Sequence, residues 1–361
     1  MSTLVFTPIS GGYFVSQTAI LAVIMNAINT KGLAKPDAYF GCSGGVIANI
    51  IAMKYTNSKE TMEKILYAIE RDMFLRPWVN LNIVAEKLFS FFKSSLYKKG
   101  IGNKAFLENL YTSREFKDTE SWILKYDMTA NYSTLVCSKG DGTSVFNTQL
   151  KSSTQIEYRE EIAGCYEIIY ADGNLSLLAD CINASMSIPG YKPPVEVLGD
   201  YYLDGGIAAA SPGSLFTNIF LEYANTAPHD TEFAHYFYVI GPQYVDKDIE
   251  KDGHKKHWLS QTFKSIGSLL QFSIYRERQN LLNTWVQICG PKHFDNSFTR
   301  ETLKGETELA NFLALRNDKH YFVTCYTADE KVNIVNFGKK DLKRVFDTCF
   351  SNTHFDIFWH D

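Results

Sequence analysis

Along this chain, short runs of β-branched and aromatic residues alternate with longer stretches in which apolar residues recur every three or four positions. Residues 4–7 predict a strand, Ser10-Gly11-Gly12 a turn, and residues 15–29 an apolar helix stopped by Gly32. A second strand at 38–40 leads into an apolar helix over 44–56 and an amphipathic one over 59–74, with Asn57-Ser58 as cap candidates. Leu81, Val84, Leu88, Phe91, Phe92 and Leu96 form a further apolar stripe over 81–97, and a helical segment follows at 103–111. Strands at 132–138 and 143–148 are joined by the turn Gly140-Asp141-Gly142. In the second half, 195–198 turns at Gly199-Asp200 into 201–203, and 235–240 is another strand. A long helix over about 258–284, an irregular stretch, a helix near 306–316, a strand at 320–326 and a terminal helix near 339–350 complete the pattern. Strand, helix, strand with short connections requires parallel pairing with helices on both faces. The expectation is an α/β fold of three layers, α/β/α, around a mainly parallel central sheet.

At 361 residues the chain is long enough for a self-sufficient core. With 45% hydrophobic and 21% charged residues it is neither disordered nor fibrous. Its 36 basic and 40 acidic side chains leave a net charge of −4, so it lacks the global positive field that holds a nucleic-acid backbone, and no nucleic-acid partner is expected. Seven cysteines, without C-x-x-C or zinc-like spacing, fit a reducing compartment. The first Lys is Lys31, so a basic n-region is missing, and no apolar run approaches the roughly 18 residues of a membrane span. These features predict a cytoplasmic protein with neither signal peptide nor transmembrane span.

Three short blocks carry chemistry. Gly41-Cys42-Ser43-Gly44-Gly45 matches G-x-S-x-G directly after a predicted strand and at the start of a helix, the setting of a nucleophile elbow. Such a turn strains the serine backbone, Gly41 and Gly45 let neighbouring backbone pass without a Cβ, and the helix N-terminus faces developing negative charge. A Gly-rich βα turn that only packs tightly would carry the same string. Asp204-Gly205-Gly206, at the exit of the strand at 201–203, offers a carboxylate that apolar neighbours would desolvate; an ordinary Asp-Gly turn has the same letters. Ser10-Gly11-Gly12 can present backbone N–H groups to an oxyanion, beside that of Gly44.

None of the eight histidines (His229, His235, His254, His257, His293, His320, His354 and His360) has the context of a base partner. His254 and His257 have a spacing that metal ligands use, and a solvated polar segment accounts for them. No phosphate loop, dinucleotide fingerprint or H-E-x-x-H motif occurs, so neither nucleotide nor zinc chemistry is expected.

The three blocks, in this order, resemble the patatin-like phospholipase family, lipid acyl hydrolases with a Ser-Asp dyad. The stretch Ala184-Ser185-Met186-Ser187-Ile188-Pro189-Gly190, through Pro193-Pro194 to Tyr202-Leu203-Asp204-Gly205-Gly206, is similar to that family's approach to its catalytic Asp. Gly100, Ile101, Phe106 and Leu107, within 94–111, are similar to its region between elbow and middle strands. The likeness covers 1–240 as a catalytic domain and leaves 241–361 as a C-terminal helical extension with a strand, packed onto the same domain. It implies the patatin-like α/β/α fold, with Ser43 as nucleophile, Asp204 as general base, and Gly11, Gly12 and Gly44 as oxyanion donors. Gly41 and Gly45 would shape the elbow, and Gly205 and Gly206 the Asp loop. The implied activity is calcium-independent hydrolysis of fatty-acyl esters of phospholipids or related lipids through an acyl-enzyme, with no metal or other cofactor.

The first block departs from the family's usual Gly-Gly-Gly, any residue, Arg or Lys, Gly: here Gly11-Gly12 continue as Tyr13-Phe14-Val15-Ser16. A Cβ at Tyr13 opposes a positive φ there, which keeps open a catalytically weakened patatin fold that binds a lipid or protein partner. A Ser-His-Asp esterase is the other alternative. A lipid substrate implies peripheral membrane contact, for which there are two candidate surfaces: 81–97, with Lys87, Lys93, Lys98 and Lys99 in or beside it, and Lys251 to Lys264, with Trp258 and Phe263. Core packing and a solvated helix start, respectively, account for them otherwise.

Overall fold

The computed structural model describes residues 2–10, 13–36, 38–54, 133–139, 144–147, 159–162, 166–169, 180–181, 183–185, 195–207, 233–242, 258–289, 298–316, 318–327 and 339–360. The helices expected over 59–74, 81–97 and 103–111, the turn 140–142, the stretch 186–194, and Gly11 and Gly12 lie outside the described residues. In chain order the elements are β1 (Ser2–Thr7), α1 (Phe14–Thr30), β2 (Ala38–Cys42), α2 (Gly44–Lys54), β3 (Ser133–Lys139), β4 (Ser144–Asn147), β5 (Arg159–Ile162), β6 (Tyr166–Ile169), β7 (Val195–Val197), β8 (Asp200–Asp204), β9 (Phe233–Pro242), α3 (Trp258–Cys289), β10 (Phe298–Lys304), α4 (Gly305–Leu315), β11 (Tyr321–Thr327), α5 (Lys339–Ser351) and β12 (His354–His360).

The strands form one sheet in the order β10-β12-β11-β9-β1-β2-β3-β4-β6-β5, with β8 beside β3 and β7 beside β8. Its centre, β11-β9-β1-β2-β3, is parallel throughout, and antiparallel β12 and β4 flank it. From β1 the chain proceeds through α1 to β2 on one side, whereas β9 lies on the other. The direction of winding therefore reverses at β1, and the crevice at the carboxyl ends of the strands there is the usual ligand position of an α/β sheet.

Period-two alternation decides the layers. Val5, Tyr39, Phe237, Val239, Tyr321, Val323, Phe355 and Ile357 pack into one core with α1, α2, α4 and α5. Their neighbours Leu4, Phe6, Phe40, Tyr236, Tyr238 and Phe322 belong to a second core with Ile274, Leu281 and Trp285 of α3. Both faces of the central strands are thus buried, which gives the expected three-layer α/β/α fold. Helix α1 is buried around nearly its whole circumference because it contacts α2, α4 and α5 besides the sheet. That is why its sequence is apolar on every side rather than amphipathic.

Three differences from the sequence reading have physical causes. The C-terminal third supplies three strands where one is expected, because β10 and β12 extend the sheet beyond β11. β10 is an edge strand whose Arg300, Glu301 and Lys304 are exposed, so it lacks an alternating apolar pattern and its edge is blunted by charge. The short strands β5 and β6 fall where no element is expected. The turn between β7 and β8 sits at Leu198-Gly199, one residue earlier than expected, with φ of 51° and 87°. Positive φ at both central positions is the type I′ hairpin turn, and here a leucine takes one of them.

At the amino ends of the strands, His235 of β9 stacks on Tyr321, with ring centroids 4.0 Å apart. Its Nε2 lies 2.8 Å from the Lys319 carbonyl and its Nδ1 3.1 Å from Thr3 Oγ1. A carbonyl only accepts, so Nε2 carries a proton; in the neutral ring Nδ1 then accepts from the Thr3 hydroxyl. Burial accordingly lowers the His235 pKa from 6.5 to about 4.

Between these values the unfolded chain binds the proton and the folded chain does not, so stability falls as pH drops from 6.5 to about 4. Between pH 7 and pH 4, chemical unfolding should show wild type losing on the order of 3 kcal/mol more than His235→Gln. On the opposite side of the sheet from α1, Trp285→Ala removes a fully buried indole that anchors α3. The expected loss in urea unfolding is about 3–5 kcal/mol.

Candidate active site

Strand pairing is what brings Ser43 to Asp204. Cys42, the last residue of β2, pairs with Val136, and Asp204, the last of β8, pairs with Cys137, the next residue along β3. β4 occupies the other edge of β3, so β2 and β8 share one edge, run in opposite directions and meet at their carboxyl ends. Ser43, leaving β2, arrives at the Asp204 carboxylate: Ser43 Oγ donates to Asp204 Oδ2 at 2.6 Å across 161 positions of sequence. Each residue is 2% exposed. The second carboxylate oxygen, Oδ1, accepts the Gly206 N–H at 2.8 Å, which fixes the plane of the carboxylate with Oδ2 toward Ser43.

The turn between β2 and α2 has the expected strained geometry. Ser43 takes φ 52°, a left-handed conformation that costs a non-glycine residue about 1–3 kcal/mol. Its N–H donates to Ser185 Oγ at 3.2 Å and its carbonyl accepts from the Val46 N–H at 3.0 Å, so the turn is held from both sides. Gly44 is the first residue of α2, and its N–H has no helical carbonyl behind it to bond.

The glycines mark close approaches of other segments. A Cβ at Gly41 would lie 2.7 Å from Asn49 Nδ2 and 3.0 Å from Val46 Cα. One at Gly45 would overlap the Thr7 carbonyl oxygen and sit 2.6 Å from that of Pro8. One at Gly206 would overlap Ile9 Cδ1. Residues Thr7, Pro8 and Ile9, leaving β1, are therefore wedged between the turn that carries Ser43 and the loop that follows Asp204.

Two side chains hold this wedge, and neither was singled out in the sequence. Gln17 of α1, fully buried, donates from Nε2 to the Pro8 carbonyl at 3.0 Å and the Val239 carbonyl at 3.3 Å, tying the turn after β1 to the carboxyl end of β9. Thr7 Oγ1 donates to Asn49 Oδ1 at 2.5 Å, tying it to α2. The available signal was polarity in the wrong place: Gln17 and Asn49 interrupt otherwise apolar helical runs, and a buried amide demands partners. Ser185, the partner of the Ser43 N–H, stood in the sequence only as part of a longer stretch.

The other expected site residues are accounted for as follows. Gly205 begins the short 3-10 turn Gly205–Ile207 after β8. Gly11 and Gly12 lie outside the described residues. Tyr13 follows the reading that its Cβ opposes a positive φ: its φ is −92°, and its N–H is spent on the Ser10 carbonyl at 2.8 Å. His235 and His320 lie at the amino ends of β9 and β11, away from Ser43, and His354 and His360 belong to β12, four strands from β2 in the sheet order. His229, His254, His257 and His293 are outside the described residues.

Gly45→Ala tests the close approach directly. Its methyl group must displace the Thr7 and Pro8 carbonyls, neither of which is a flexible side chain. The expected result is a loss of roughly 1–3 kcal/mol in denaturant unfolding, or more if the backbone cannot yield.

The family model of patatin-like phospholipases matches residues 9–216, more than half of the 361-residue chain. No curated protein matches it. Among the described residues no helix is long and apolar enough to cross a membrane. The match begins in the turn after β1, ends beyond β8 and takes in the segments around both Ser43 and Asp204: this chain belongs to the patatin-like phospholipase family.

Proposed function

We propose that this protein is a lipid acyl hydrolase that cleaves fatty-acyl esters of phospholipids or related lipids with Ser43 as nucleophile and Asp204 as general base. Family membership supports lipid esters as the substrate class. The observation that carries the assignment of residues is the 2.6 Å hydrogen bond from Ser43 Oγ to Asp204 Oδ2 in a water-poor setting. Asp204 takes the hydroxyl proton as Ser43 Oγ attacks the ester carbonyl, and the Gly206 N–H keeps the carboxylate aligned during the transfer. The tetrahedral oxyanion forms beside the N-terminus of α2, where the Gly44 N–H and the helix dipole favour negative charge. Gly11 and Gly12 supply the remaining donors in this scheme. Asp204 then returns the proton to the departing alcohol oxygen, leaving Ser43 acylated. In the second half Asp204 deprotonates a water that attacks the acyl carbonyl, and Ser43 regains its proton as the acid leaves. No step passes through a metal, histidine or cofactor.

The binding-module alternative drew on the departures at positions 13, 15 and 16. Tyr13 sits at an unstrained φ, Val15 is part of the core, and Ser16 Oγ accepts from Cys349 Sγ of α5 at 3.4 Å. These residues are accommodated by packing and leave Ser43 and Asp204 intact.

Release of fatty acid from mixed phospholipid vesicles and from a soluble acyl ester, measured with a chelator present, tests the proposal. Wild type should turn over both, while Ser43→Ala and the near-isosteric Asp204→Asn should each lose roughly 10²–10⁴-fold in kcat with their folds retained. A wild type no faster than Ser43→Ala that still binds the vesicles would instead make the protein a lipid-binding member of its family.

A further inference from the structure

Helix α3 has 32 residues and is about 48 Å long, roughly twice the length of the seven-residue β11, about 23 Å. Three contacts between its carboxyl half and the sheet fix its direction. Tyr238 Oη donates to the Ile274 carbonyl at 3.1 Å, Arg278 Nε donates to Thr324 Oγ1 at 2.9 Å, and the Trp285 ring lies 6.2 Å from that of Phe322. Thr324 is level with Tyr238, and Phe322 with Tyr236, so passing from Arg278 to Trp285 moves toward the amino ends of the strands. α3 runs against the parallel strands, and the residues before Ile274 rise toward the carboxyl ends, where Ser43 lies.

The heights can be compared through the register. Tyr238 is level with Phe6 and Phe6 with Phe40, which places Ser43, three residues on, about 10 Å above that level. Leu269, nine residues before Arg278, stands about 13 Å above it. Here α3 turns apolar side chains to solvent: Leu269 and Phe272 are each 69% exposed, and Arg276 is exposed as well. Spaced at i, i+3 and i+7, the three share one face, distinct from the buried Ile274, Leu281 and Trp285. From 253 to 276 the sequence holds Lys255, Lys256, Lys264 and Arg276 and no acidic residue, in a chain whose net charge is −4.

We propose that this outer face of α3, marked by Leu269, Phe272 and Arg276, docks on an anionic phospholipid surface and sets the Ser43 end of the sheet against it. The choice of a lipid partner rests on the hydrolase reading; the place and chemistry of the face rest on exposure, helix direction and charge. Leu269 and Phe272 enter the acyl boundary while exposed Arg276, on the same face, meets anionic headgroups, the two contributions that hold an interfacial helix.

Sedimentation with phosphatidylcholine vesicles, with and without phosphatidylserine, tests docking in a Ser43→Ala background, where turnover plays no part. The bound fraction should rise with phosphatidylserine and fall with salt, and the added pair Leu269→Asp and Phe272→Asp should weaken binding by at least about tenfold. Both positions are exposed, so the melting temperature should hold. With Ser43 restored, the double variant should keep the wild-type rate on a soluble ester and lose it on vesicles. A double variant that binds vesicles like its parent overturns the proposal, as does a parent that does not bind. A parent that is dimeric, does not bind vesicles and becomes monomeric on substitution would make the face a contact between copies of this chain, and also overturns it. Binding that depends on Leu269 and Phe272 in a protein whose wild type cleaves no ester would sustain the docking face and remove the hydrolase reading.

Discussion

One edge of β3 is shared end to end by two strands, and the position of every group at the site depends on that arrangement. β2 takes the backbone partners of β3 as far as Val136, and β8, coming from the opposite direction, takes them from Cys137. A strand edge offers one set of donors and acceptors, so neither strand can lengthen without displacing the other. The chain must leave β2 at Cys42 by a sharp turn, which Ser43 makes at φ 52°. β8 must likewise end at Asp204. The hydrogen bond between them is then a consequence of where two strands run out of partners.

Around this meeting point the backbone is packed more closely than side chains would permit. Thr7, Pro8 and Ile9 lie where Cβ atoms at Gly45 and Gly206 would be. A shift of the turn after β1 therefore presses on the Ser43 turn and on the Asp204 loop together. Gln17 limits such shifts by joining Pro8 to β9, and the Thr7–Asn49 bond does the same toward α2. Interiors packed at this density transmit displacement rather than absorb it, so in the proposed mechanism the alignment of Ser43 with Asp204 belongs to three segments at once.

The part of the chain beyond the family match is joined to this machinery. β9, from residues after the matched span, is the partner of β1 and receives the Gln17 bond. α4 and α5 cover α1, whose amino end follows Gly11 and Gly12 in the sequence. Ser16, in the place of a family glycine, bonds to Cys349 of α5. One departure in the first block thus faces an element outside the matched residues 9–216.

What this sequence determined by itself was whatever local physics controls. Apolar runs such as Leu4-Val5-Phe6 mark strands buried on both faces, the continuous apolar character of α1 marks a helix enclosed on every side, and Gly41 to Gly45 marks a strained turn between strand and helix. The three layers and both proposed dyad residues were legible on those terms, Asp204 with the help of a resemblance. Strand β10 was not, because an edge strand is polar, nor was the role of Gln17, because a buried amide is explained only by the carbonyls it meets. Only the tertiary structure decided that β2 and β8 share an edge and that α3 lifts Leu269 and Phe272 to the level of Ser43. Pairing and direction depend on contacts between residues far apart in the chain, on which spacing along the chain carries no direct information.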